Sequence, residues 1–386
     1  MRATHASPSR YLVAHPGAEL YGSDRVMLES VAGFIEAGAD VVVALPEPGP
    51  LVEELRAAGA RIEIVPTLVL RKSLLRPRNW GVLLASAFRG HRAARRLLRE
   101  HRPDAVYVST VTLPLWPLNA AAARVPCLVH LHEGEQAASR LVKRGIYAPV
   151  GLARDIVVNS EFSRDVLRQA FRRLADHAHV VYNGVAGPPS STRARADLTP
   201  PSRLVYVGRL SPRKGPDLIL EALALLPDEL GPVELDLVGD VFAGYEWYEK
   251  QLRARIEELG LADRVRLLGF RPQVWDAVAA GDIVVIPSRL DEPFGNTAVE
   301  GALAGRVVLV SDTSGLREAT AGIRTAIPFA PDDARALADA IVDAHRRWGE
   351  LQPLLDHEAS AAAERFSPAR YRAEISARMA AITTAR

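Results

Sequence analysis

The feature that most constrains this chain is a repeated alternation of short apolar runs with longer amphipathic segments. The runs are rich in β-branched residues and almost continuous in apolar character, which is typical of parallel strands buried on both faces. The segments between them have helical periodicity. Two successive series of this kind predict an α/β protein with two doubly wound, Rossmann-like domains. The predicted strands are Tyr11–Ala14, Val41–Leu45, Ile62–Val65, Ala105–Val108, Leu128–Leu131, Ile156–Val158 and Val180–Tyr182 in the first series, and Leu204–Val207, Leu235–Val238, Val265–Leu268, Ile283–Ile286, Val307–Val310 and Thr325–Ile327 in the second.

A proline-rich, polar segment at 186–202 lies between the two series and lacks any apolar periodicity, which predicts a linker. We therefore predict an N-terminal domain at 1–187, a linker at 188–202 and a C-terminal domain at 203–365. The predicted helices include Asp24–Ala37, Trp80–His101, Pro216–Leu226, Tyr245–Gly260, Thr297–Ala304, Asp332–Trp348, 350–364 and a last one from 366 to about 379.

The composition is that of a globular protein, because 48% of the 386 residues are hydrophobic and 24% are charged. Cys127 is the only cysteine, which excludes an intramolecular disulfide and a multi-cysteine metal site and predicts a reducing compartment. The N-terminal residues lack the apolar core of a secretory signal. No apolar run approaches the roughly 18 residues of a membrane span. These features predict a cytoplasmic protein that does not cross a membrane.

The net charge of +2 conceals an asymmetry between the two halves. Residues 1–190 carry 24 basic and 17 acidic side chains (+7), and the remainder carries 24 and 29 (−5). The stretch Arg71–Arg102 contains a single acid, Glu100. Helical spacing places four of its arginines on one face: Arg92, Arg95, Arg96 and Arg99. This face predicts peripheral contact with anionic lipid at the inner face of the plasma membrane or with a phosphorylated acceptor; a solvated arginine face is the alternative. Nucleic acid is disfavoured, because few aromatic residues interleave with the basic ones.

Ligands of doubly wound domains bind at the carboxyl ends of the strands, so the segments that follow the strands are the candidate sites. Gly208 to Gly215 follows Leu204–Val207 and contains Arg209 and Lys214 just before a helix. Two cations beside a helix N-terminus favour a phosphate group. The alternative is a surface loop with two solvated cations.

A second candidate follows Ile283–Ile286, where Glu292 lies in a loop and Glu300 lies about one turn into the next helix. The main chain near Gly295 can approach a diphosphate closely, and a carboxylate such as Glu300 can accept hydrogen bonds from a ribose diol. The alternative is a surface acid at Glu292 and a favourable first-turn acid at Glu300.

Glu292 and Glu300, with seven residues between them, resemble the E-x7-E motif of the retaining family 4 glycosyltransferases, the glycogen-synthase-like enzymes of GT-B fold. The resemblance extends over nearly the whole chain. Gly208-Arg209-Leu210 with Lys214-Gly215 is similar to the donor-phosphate loop of that family. Further similar motifs are Asn183-Gly184-Val185, the turn from Val157 to Ser163, and Thr313 to Glu318, in which Ser314 replaces the first glycine of the usual G-G-x-x-E.

This resemblance implies a GT-B fold with an interdomain cleft that closes over the donor, and it implies roles for residues of the second domain. Arg209 and Lys214, with Gly208 beside them, would hold the donor diphosphate and stabilise the leaving nucleotide. Glu300 would bind the donor ribose and Glu292 the transferred sugar. The main chain of Phe294, Gly295, Asn296 and Thr297 would lie alongside the donor.

The resemblance also implies roles for the first domain. His132 would face the reacting sugar, whereas His130 is expected to be buried structure. The turn after the first strand would form an acceptor and diphosphate loop; its candidate residues are Gly17, Glu19, Tyr21 and Gly22. The alternatives are a hydrogen-bonded histidine at a strand end and an ordinary strand-to-helix turn. The last helix, at about 366–382, would cross back onto the first domain.

The implied activity is transfer of a hexosyl unit, with retention of configuration, from a UDP- or GDP-linked sugar to an acceptor hydroxyl. A glycolipid, saccharide or small-molecule acceptor of cell-envelope or exopolysaccharide synthesis is the expected class. The chain has no D-x-D pair, which fits a site where Arg209 and Lys214 act in place of a divalent metal ion, and no cofactor is expected. The alternatives are a non-catalytic nucleotide-sugar-binding protein and a GT-B relative such as an epimerase or a phosphorylase.

Overall fold

The computed structural model describes residues 8–134, 139–242 and 244–384. The chain divides into two compact units: unit 1 comprises Met1–Gly184 and Pro368–Arg386, and unit 2 comprises Val185–Ser367. The predicted boundary at 187 falls just beyond the observed one. The last helix, predicted from 366, begins at Pro368, because proline is favoured in the first turn of a helix.

Unit 1 is built on a parallel sheet of seven strands among the described residues, in the order β3-β2-β1-β4-β5-β6-β7. Its strands are β1 (Arg10–Ala14), β2 (Asp40–Leu45), β3 (Arg61–Ile64), β4 (Ala105–Val108), β5 (Cys127–Leu131), β6 (Asp155–Val158) and β7 (His179–Val180). Its helices are α1 (Gly22–Glu36), α2 (Leu51–Ala57), α3 (Trp80–His101), α4 (Leu115–Ala122), α5 (Arg140–Tyr147), α6 (Glu161–Ala170) and α7 (Arg172–Asp176). Single 3₁₀ turns lie at Lys72–Leu75, Pro77–Asn79 and Ala148–Leu152.

Unit 2 has a parallel sheet of six strands among the described residues, in the order β10-β9-β8-β11-β12-β13. Its strands are β8 (Ser202–Val207), β9 (Val233–Val238), β10 (Val265–Gly269), β11 (Ile283–Ile286), β12 (Val307–Ser311) and β13 (Ala326–Phe329). Its helices are α8 (Pro216–Leu223), α9 (Glu246–Glu258), α10 (Trp275–Ala280), α11 (Asn296–Leu303), α12 (Ser314–Thr320), α13 (Ala334–Arg346), α14 (Trp348–Leu351) and α15 (Leu355–Arg365), with 3₁₀ turns at Asp228–Leu230 and Gln352–Leu354. The chain returns to unit 1 as α16 (Pro368–Thr384).

Burial of each strand on both faces explains the continuous apolar runs. In β1, Leu12 belongs to the core on one face of the sheet, and Val13 belongs to the core on the other. Every predicted strand overlaps an observed one, and all observed pairings are parallel. The prediction of two doubly wound α/β domains is therefore confirmed.

One predicted helix differs from the structure. The helix predicted at 350–364 is interrupted by the 3₁₀ turn Gln352–Leu354, because Pro353 has no amide hydrogen to donate. The segment predicted as a linker at 188–202 is bound to unit 2. There Arg195 forms a bidentate ion pair with Asp282, at 2.8 and 2.5 Å, and the indole nitrogen of Trp348 donates to the Arg195 carbonyl at 3.2 Å.

Helix α16 completes the core of unit 1. Tyr371, Ile375 and Met379 recur every four residues and are fully buried in the cluster that covers one face of the sheet. Gly33 of α1 permits close packing, because a Cβ atom there would lie 2.8 Å from the Cβ of Arg372. None of the described helices is long and apolar enough to span a membrane.

Candidate functional site

The carboxyl ends of β8 and β11 bring the two predicted donor loops together in unit 2. These strands are neighbours in the sheet although three helices separate them along the chain, so they form the topological switch point at which such sheets bind ligands. The loops also contact each other, since the amide of Arg289 donates to the Arg213 carbonyl at 2.9 Å. Gly215 permits this approach: its φ is +66°, and a Cβ there would lie 2.4 Å from the carbonyl oxygen of Pro287.

An ion pair between a partly exposed lysine and a buried carboxylate joins the two loops. The Nζ atom of Lys214 lies 2.8 Å from Oε1 of Glu292, and the guanidinium of Arg213 lies 3.8 Å from the same oxygen. The hydroxyl of Ser288 donates to Oε1 of Glu292 at 2.8 Å. Glu292 is buried, whereas Lys214 is partly exposed. Lys214 and Glu292, which were predicted separately, are therefore in direct contact.

The charge of Glu292 is stabilised in the folded protein. Burial raises the pKa of Glu292, but the charges of Lys214 and Arg213, and the hydrogen bonds from Lys214 and Ser288, lower it by more. The net pKa of Glu292 lies below the usual value for glutamate. The carboxylate is thus ionised at neutral pH, and Lys214 offsets its charge.

Arg289 links the same two loops to helix α8. Its guanidinium binds Asp217 of α8 through two bonds of 2.7 and 2.9 Å and donates to the Pro212 carbonyl at 3.1 Å. Asp217 also accepts a bond from the hydroxyl of Tyr248 at 2.5 Å. Neither Arg289 nor Asp217 was predicted from the sequence, and the two residues are 72 positions apart along the chain.

Arg209 lies where β8 ends, and its main chain is fixed by a buried tyrosine. The hydroxyl of Tyr206 donates to the Arg209 carbonyl at 2.6 Å. The guanidinium carbon of Arg209 lies 3.3 Å from the centre of the Phe242 ring, a cation–π contact. The loop after β9 approaches the Arg209 loop as well. Gly239, at the end of β9, permits this approach, because a Cβ there would lie 1.8 Å from the Gly208 carbonyl oxygen.

The remaining candidate residues for binding the donor lie at the start of α11. Gly295 adopts a φ of +114° and acts as the N-cap, so that Asn296 and Thr297 form the first turn and Glu300 lies one turn further along. The side chain of Phe294 is 2% exposed and packs edge-on against Phe366, with the ring centres 5.6 Å apart. Phe294 therefore offers only its main chain to a ligand.

The segment from Thr313 to Glu318, in which Ser314 stands in place of a glycine, packs against the Glu292 loop. Ser314 begins α12 without a left-handed φ, and its amide donates to Oδ1 of Asp291 at 3.1 Å. The following residue, Gly315, is the one that needs to be glycine. A Cβ at Gly315 would lie 1.9 Å from the carbonyl oxygen of Glu292.

In unit 1, the predicted acceptor loop follows β1 and is anchored by a buried histidine. The Nδ1 atom of His15 lies 2.5 Å from the Ser109 hydroxyl, and Nε2 lies 2.7 Å from Oδ1 of Asp24. Asp24 also accepts the amide of Tyr21 at 2.9 Å. Of the predicted loop residues, Gly17 is partly buried, Glu19 is exposed, and Gly22 begins α1. The anchoring network of His15, Asp24 and Ser109 was not predicted.

His132 follows β5 and packs against His130, with the ring centres 3.9 Å apart and the ring planes tilted by 42°. Burial and the charge of His15 lower the pKa of His132 to about 3, against a smaller opposing effect of Asp24. Burial, and repulsion between the protonated forms of the two rings, lower the pKa of His130 well below its usual value. His130 also lies 2.7 Å, through Nδ1, from the hydroxyl of Tyr107. Both rings are neutral near pH 7, so His132 can exchange hydrogen bonds with a ligand but carries no charge.

Glu133 is a further polar residue at this strand end and was assigned no role from the sequence. Its carboxylate accepts bonds from the amides of Val111 at 3.3 Å and His132 at 3.0 Å, and from the hydroxyl of Thr110. Burial raises the pKa of Glu133, although these hydrogen bonds oppose the shift. Glu133 thus fixes the main chain of His132.

The two histidines predict a pH-dependent stability of unit 1. Their folded pKa values lie below the roughly 6.5 of an unfolded histidine, so the unfolded state binds more protons once the pH falls below that value. The stabilisation is therefore complete above about pH 6.5 and decreases as the pH falls towards 3, by at most about 1.4 kcal/mol per pH unit for each histidine. Urea unfolding of the full chain between pH 7.5 and 5 measures this slope. His132→Asn should reduce it, and His357→Asn, an exposed control in unit 2, should not; equal slopes in all three proteins would contradict the assignment.

Within residues 8–134, 139–242 and 244–384, no group of three His, Cys, Asp or Glu side chains is arranged to hold a metal ion. The cations of Lys214 and Arg213 lie within 4 Å of the Glu292 carboxylate. The site of unit 2 can therefore offer positive charge from side chains to an anionic ligand.

Two family descriptions match this chain. The description "Glycosyl transferases group 1" matches residues 192–355, within unit 2, and "Glycosyltransferase Family 4" matches residues 21–186, which include most of unit 1. Together they cover both sets of candidate residues except the start of the loop after β1.

Curated relatives match over part of their length. The chain is 32% identical over 183 residues to a D-inositol 3-phosphate glycosyltransferase from Jonesia denitrificans, covering 43% of this chain and 42% of the relative. It is 30% identical over 205 residues to a lipopolysaccharide 1,2-N-acetylglucosaminetransferase from Salmonella typhimurium, covering 48% and 53%. The matched segments thus span about half the length of these relatives.

Solved structures match along the whole chain. Anabaena Alr3699/HepE, crystallised with UDP and glucose, has a TM-score of 0.78 at 24% identity, covering 97% of this chain and 99% of that one. Sucrose-phosphate synthase from Thermosynechococcus elongatus has a TM-score of 0.77 at 18% identity, covering 98% and 100%. At these identities the likeness shows a shared fold.

Proposed function

This chain belongs to the family 4 glycosyltransferases of GT-B fold, and we propose that it transfers a hexosyl unit, with retention of configuration, from a UDP- or GDP-sugar to an acceptor hydroxyl. The observation that carries the proposal is the contact of Lys214 with the buried carboxylate of Glu292, at the point where the loops after β8 and β11 meet. It places a cation and an ionised carboxylate together at the ligand-binding edge of the sheet.

The leaving group of the proposed reaction is a nucleoside diphosphate, so negative charge develops on phosphate oxygens in the transition state. Lys214 and Arg209 supply fixed positive charge for those oxygens, and a lysine ammonium has three hydrogen atoms to donate. Lys214 can therefore bind a phosphate oxygen while it retains its contact with Glu292. This charge would act in place of a metal ion, so the transfer needs no divalent cation and no cofactor.

The other residues of unit 2 orient the donor. Glu300 accepts hydrogen bonds from the ribose diol, and the main chain at 294–297 passes alongside the diphosphate and sugar. Glu292, held ionised by Lys214, accepts hydrogen bonds from hydroxyls of the transferred sugar. Arg289 holds the two loops in the relative positions that these contacts require.

In unit 1, we assign His132 to a hydrogen bond with the reacting sugar. Its low pKa keeps it neutral, which excludes a role as a cationic acid at neutral pH. The loop with Gly17, Glu19, Tyr21 and Gly22 is assigned to the acceptor and the donor diphosphate. A relative named for a lipopolysaccharide substrate supports a cell-envelope glycolipid or saccharide as the acceptor, and relatives named for D-inositol 3-phosphate support a small-molecule acceptor.

The first test is thermal unfolding with UDP, GDP, ADP and TDP, each in magnesium and in EDTA. A nucleotide at about 100 times its Kd adds roughly 2.7 kcal/mol of stability, enough to raise the Tm by several degrees. We expect one nucleotide to stabilise the protein equally well in both conditions, and its sugar conjugate to be consumed with an α-linked product from an α-linked donor. A requirement for magnesium would contradict the metal-free site.

Two results would favour the alternatives. Nucleotide binding without turnover of any UDP- or GDP-sugar would support a non-catalytic nucleotide-sugar-binding protein. Conversion of the sugar without transfer, or consumption of inorganic phosphate, would support an epimerase or a phosphorylase.

A further inference from the structure

The outward face of α3 begins with a strip of exposed apolar side chains. Trp80, Val82, Leu84 and Phe88 are 57, 55, 70 and 62% exposed. Trp80, Leu84 and Phe88 follow each other at four-residue intervals, so they lie within about 80° of one another around the helix axis. Contiguous apolar surface of this kind usually marks an interaction site.

The same face continues as a strip of arginines. Arg92, Arg95 and Arg99 are exposed and fall within the angular range that begins at Leu84, and Arg89 and Arg96 flank them. Among the ion pairs of the described residues, only Arg96 of this group has a carboxylate partner, Glu100 at 3.6 Å. The two strips meet where the guanidinium of Arg92 lies 5.6 Å from the ring centre of Phe88.

The inward face fixes the helix in unit 1. Gly90, Ala94, Leu97 and Leu98 are buried, and a Cβ at Gly90 would lie 3.0 Å from the amide nitrogen of Leu68. The exposed strips are therefore held outward by a packed helix. With 22 residues, α3 is about 33 Å long, so the two strips together form an extended surface.

We propose that this face of α3 binds the surface of a bilayer that contains anionic lipids, with the apolar strip inserted among the lipids and the arginine strip on their phosphate groups. Interfacial helices combine these two kinds of surface. Trp80 is suited to the boundary between headgroups and acyl chains. The aromatic residues are confined to one end rather than interleaved with the arginines, which favours a lipid surface over a single-stranded nucleic acid. The inference goes beyond the proposed sugar transfer and does not depend on it.

The experiment is flotation of the full-length protein with vesicles of phosphatidylcholine alone or mixed with phosphatidylglycerol in equal parts. We expect binding to the mixed vesicles only, weakened by salt. Arg95→Gln with Arg99→Gln should lower the partition coefficient about 25-fold, since each arginine near an anionic surface contributes about fivefold. Leu84→Glu with Phe88→Glu should lower it at least tenfold. Arg95→Lys with Arg99→Lys should retain binding.

Matched controls lie in unit 2. Leu225→Glu replaces an exposed leucine, and Arg335→Gln with Arg346→Gln replaces two exposed arginines of α13; neither should alter vesicle binding. All variants should keep the wild-type Tm and turn over nucleotide sugar with a soluble acceptor at the wild-type rate, which separates this proposal from the proposed function. No binding to mixed vesicles, equal binding to both vesicle types, or equal losses in the controls would overturn it. So would self-association of the wild-type protein that the α3 variants abolish, because the face would then be an interface between copies.

Discussion

Replacement of Lys214 by alanine is expected to lower the rate of glycosyl transfer by about a hundred- to a thousandfold, the usual effect of removing one preorganised group that stabilises charge in a transition state. The variant loses the cation assigned to the leaving diphosphate. It also leaves Glu292 buried with Arg213 at 3.8 Å and Ser288 as its remaining partners, so the pKa of Glu292 should rise. The rate under saturating donor should therefore fall more steeply on acidification than in the wild-type protein.

Lysines elsewhere in the chain provide the control. Lys250→Ala removes an exposed lysine of α9 and should leave the rate unchanged. Lys214→Arg keeps the charge and should restore part of the rate, although the planar guanidinium does not fit the site of a compact ammonium. A Lys214→Ala protein that is folded and transfers sugar within a fewfold of the wild-type rate would remove Lys214 from the proposed mechanism.

Replacement of Gly315 by alanine is expected to destabilise unit 2 strongly. The added Cβ would lie 1.9 Å from the carbonyl oxygen of Glu292 and 2.8 Å from the carbonyl carbon of Pro293. Both are main-chain atoms, which cannot rotate aside, so α12 or the Glu292 loop must shift. Overpacking of this kind costs about 3 kcal/mol. The shift also displaces Glu292 from Lys214, so donor binding should weaken together with stability.

Gly349→Ala is the matched control, because Gly349 lies in α14 and has no atom within 4 Å of the position of an added Cβ. Alanine should leave stability unchanged or raise it by up to about 1 kcal/mol, since it restricts the unfolded chain more than glycine does. Urea unfolding measures both variants. A Gly315→Ala protein as stable as Gly349→Ala, with unchanged affinity for the nucleotide, would show that the two segments are not packed as described.

The fold could be predicted from the sequence because its strands are buried on both faces. A run such as Val307–Val310 is apolar at every position, and no amphipathic helix or half-exposed strand requires that pattern. The attachment of the segment 188–202 to unit 2 was not predicted, for a related reason. Arg195 and Trp348 attach that segment to unit 2 through hydrogen bonds, and polar contacts between distant residues leave no periodic signal.

The candidate site could be predicted only in part. The spacing of Glu292 and Glu300 and the cations after β8 carried a local signal, whereas the contact of Lys214 with Glu292 joins loops that are far apart along the chain. The ion pair of Arg289 with Asp217 depends on the order of strands in the sheet and was not predicted. The apolar strip of α3 was missed because an apolar residue in a helix is ordinarily assigned to the core, and Leu84 and Phe88 point outward.

The position of α16 has a consequence for biosynthesis. Tyr371, Ile375 and Met379 fill the core of unit 1, yet they are translated after the whole of unit 2. A ribosome synthesises the chain from its N-terminus. One face of the β1–β7 sheet therefore lacks the side chains of α16 until about 180 further residues have been made. Unit 2 is contiguous and can complete its core first. The nascent N-terminal segment is therefore the part of this protein that most needs protection by chaperones. Translation that stops before Pro368 leaves a product in which unit 2 is complete and unit 1 lacks α16.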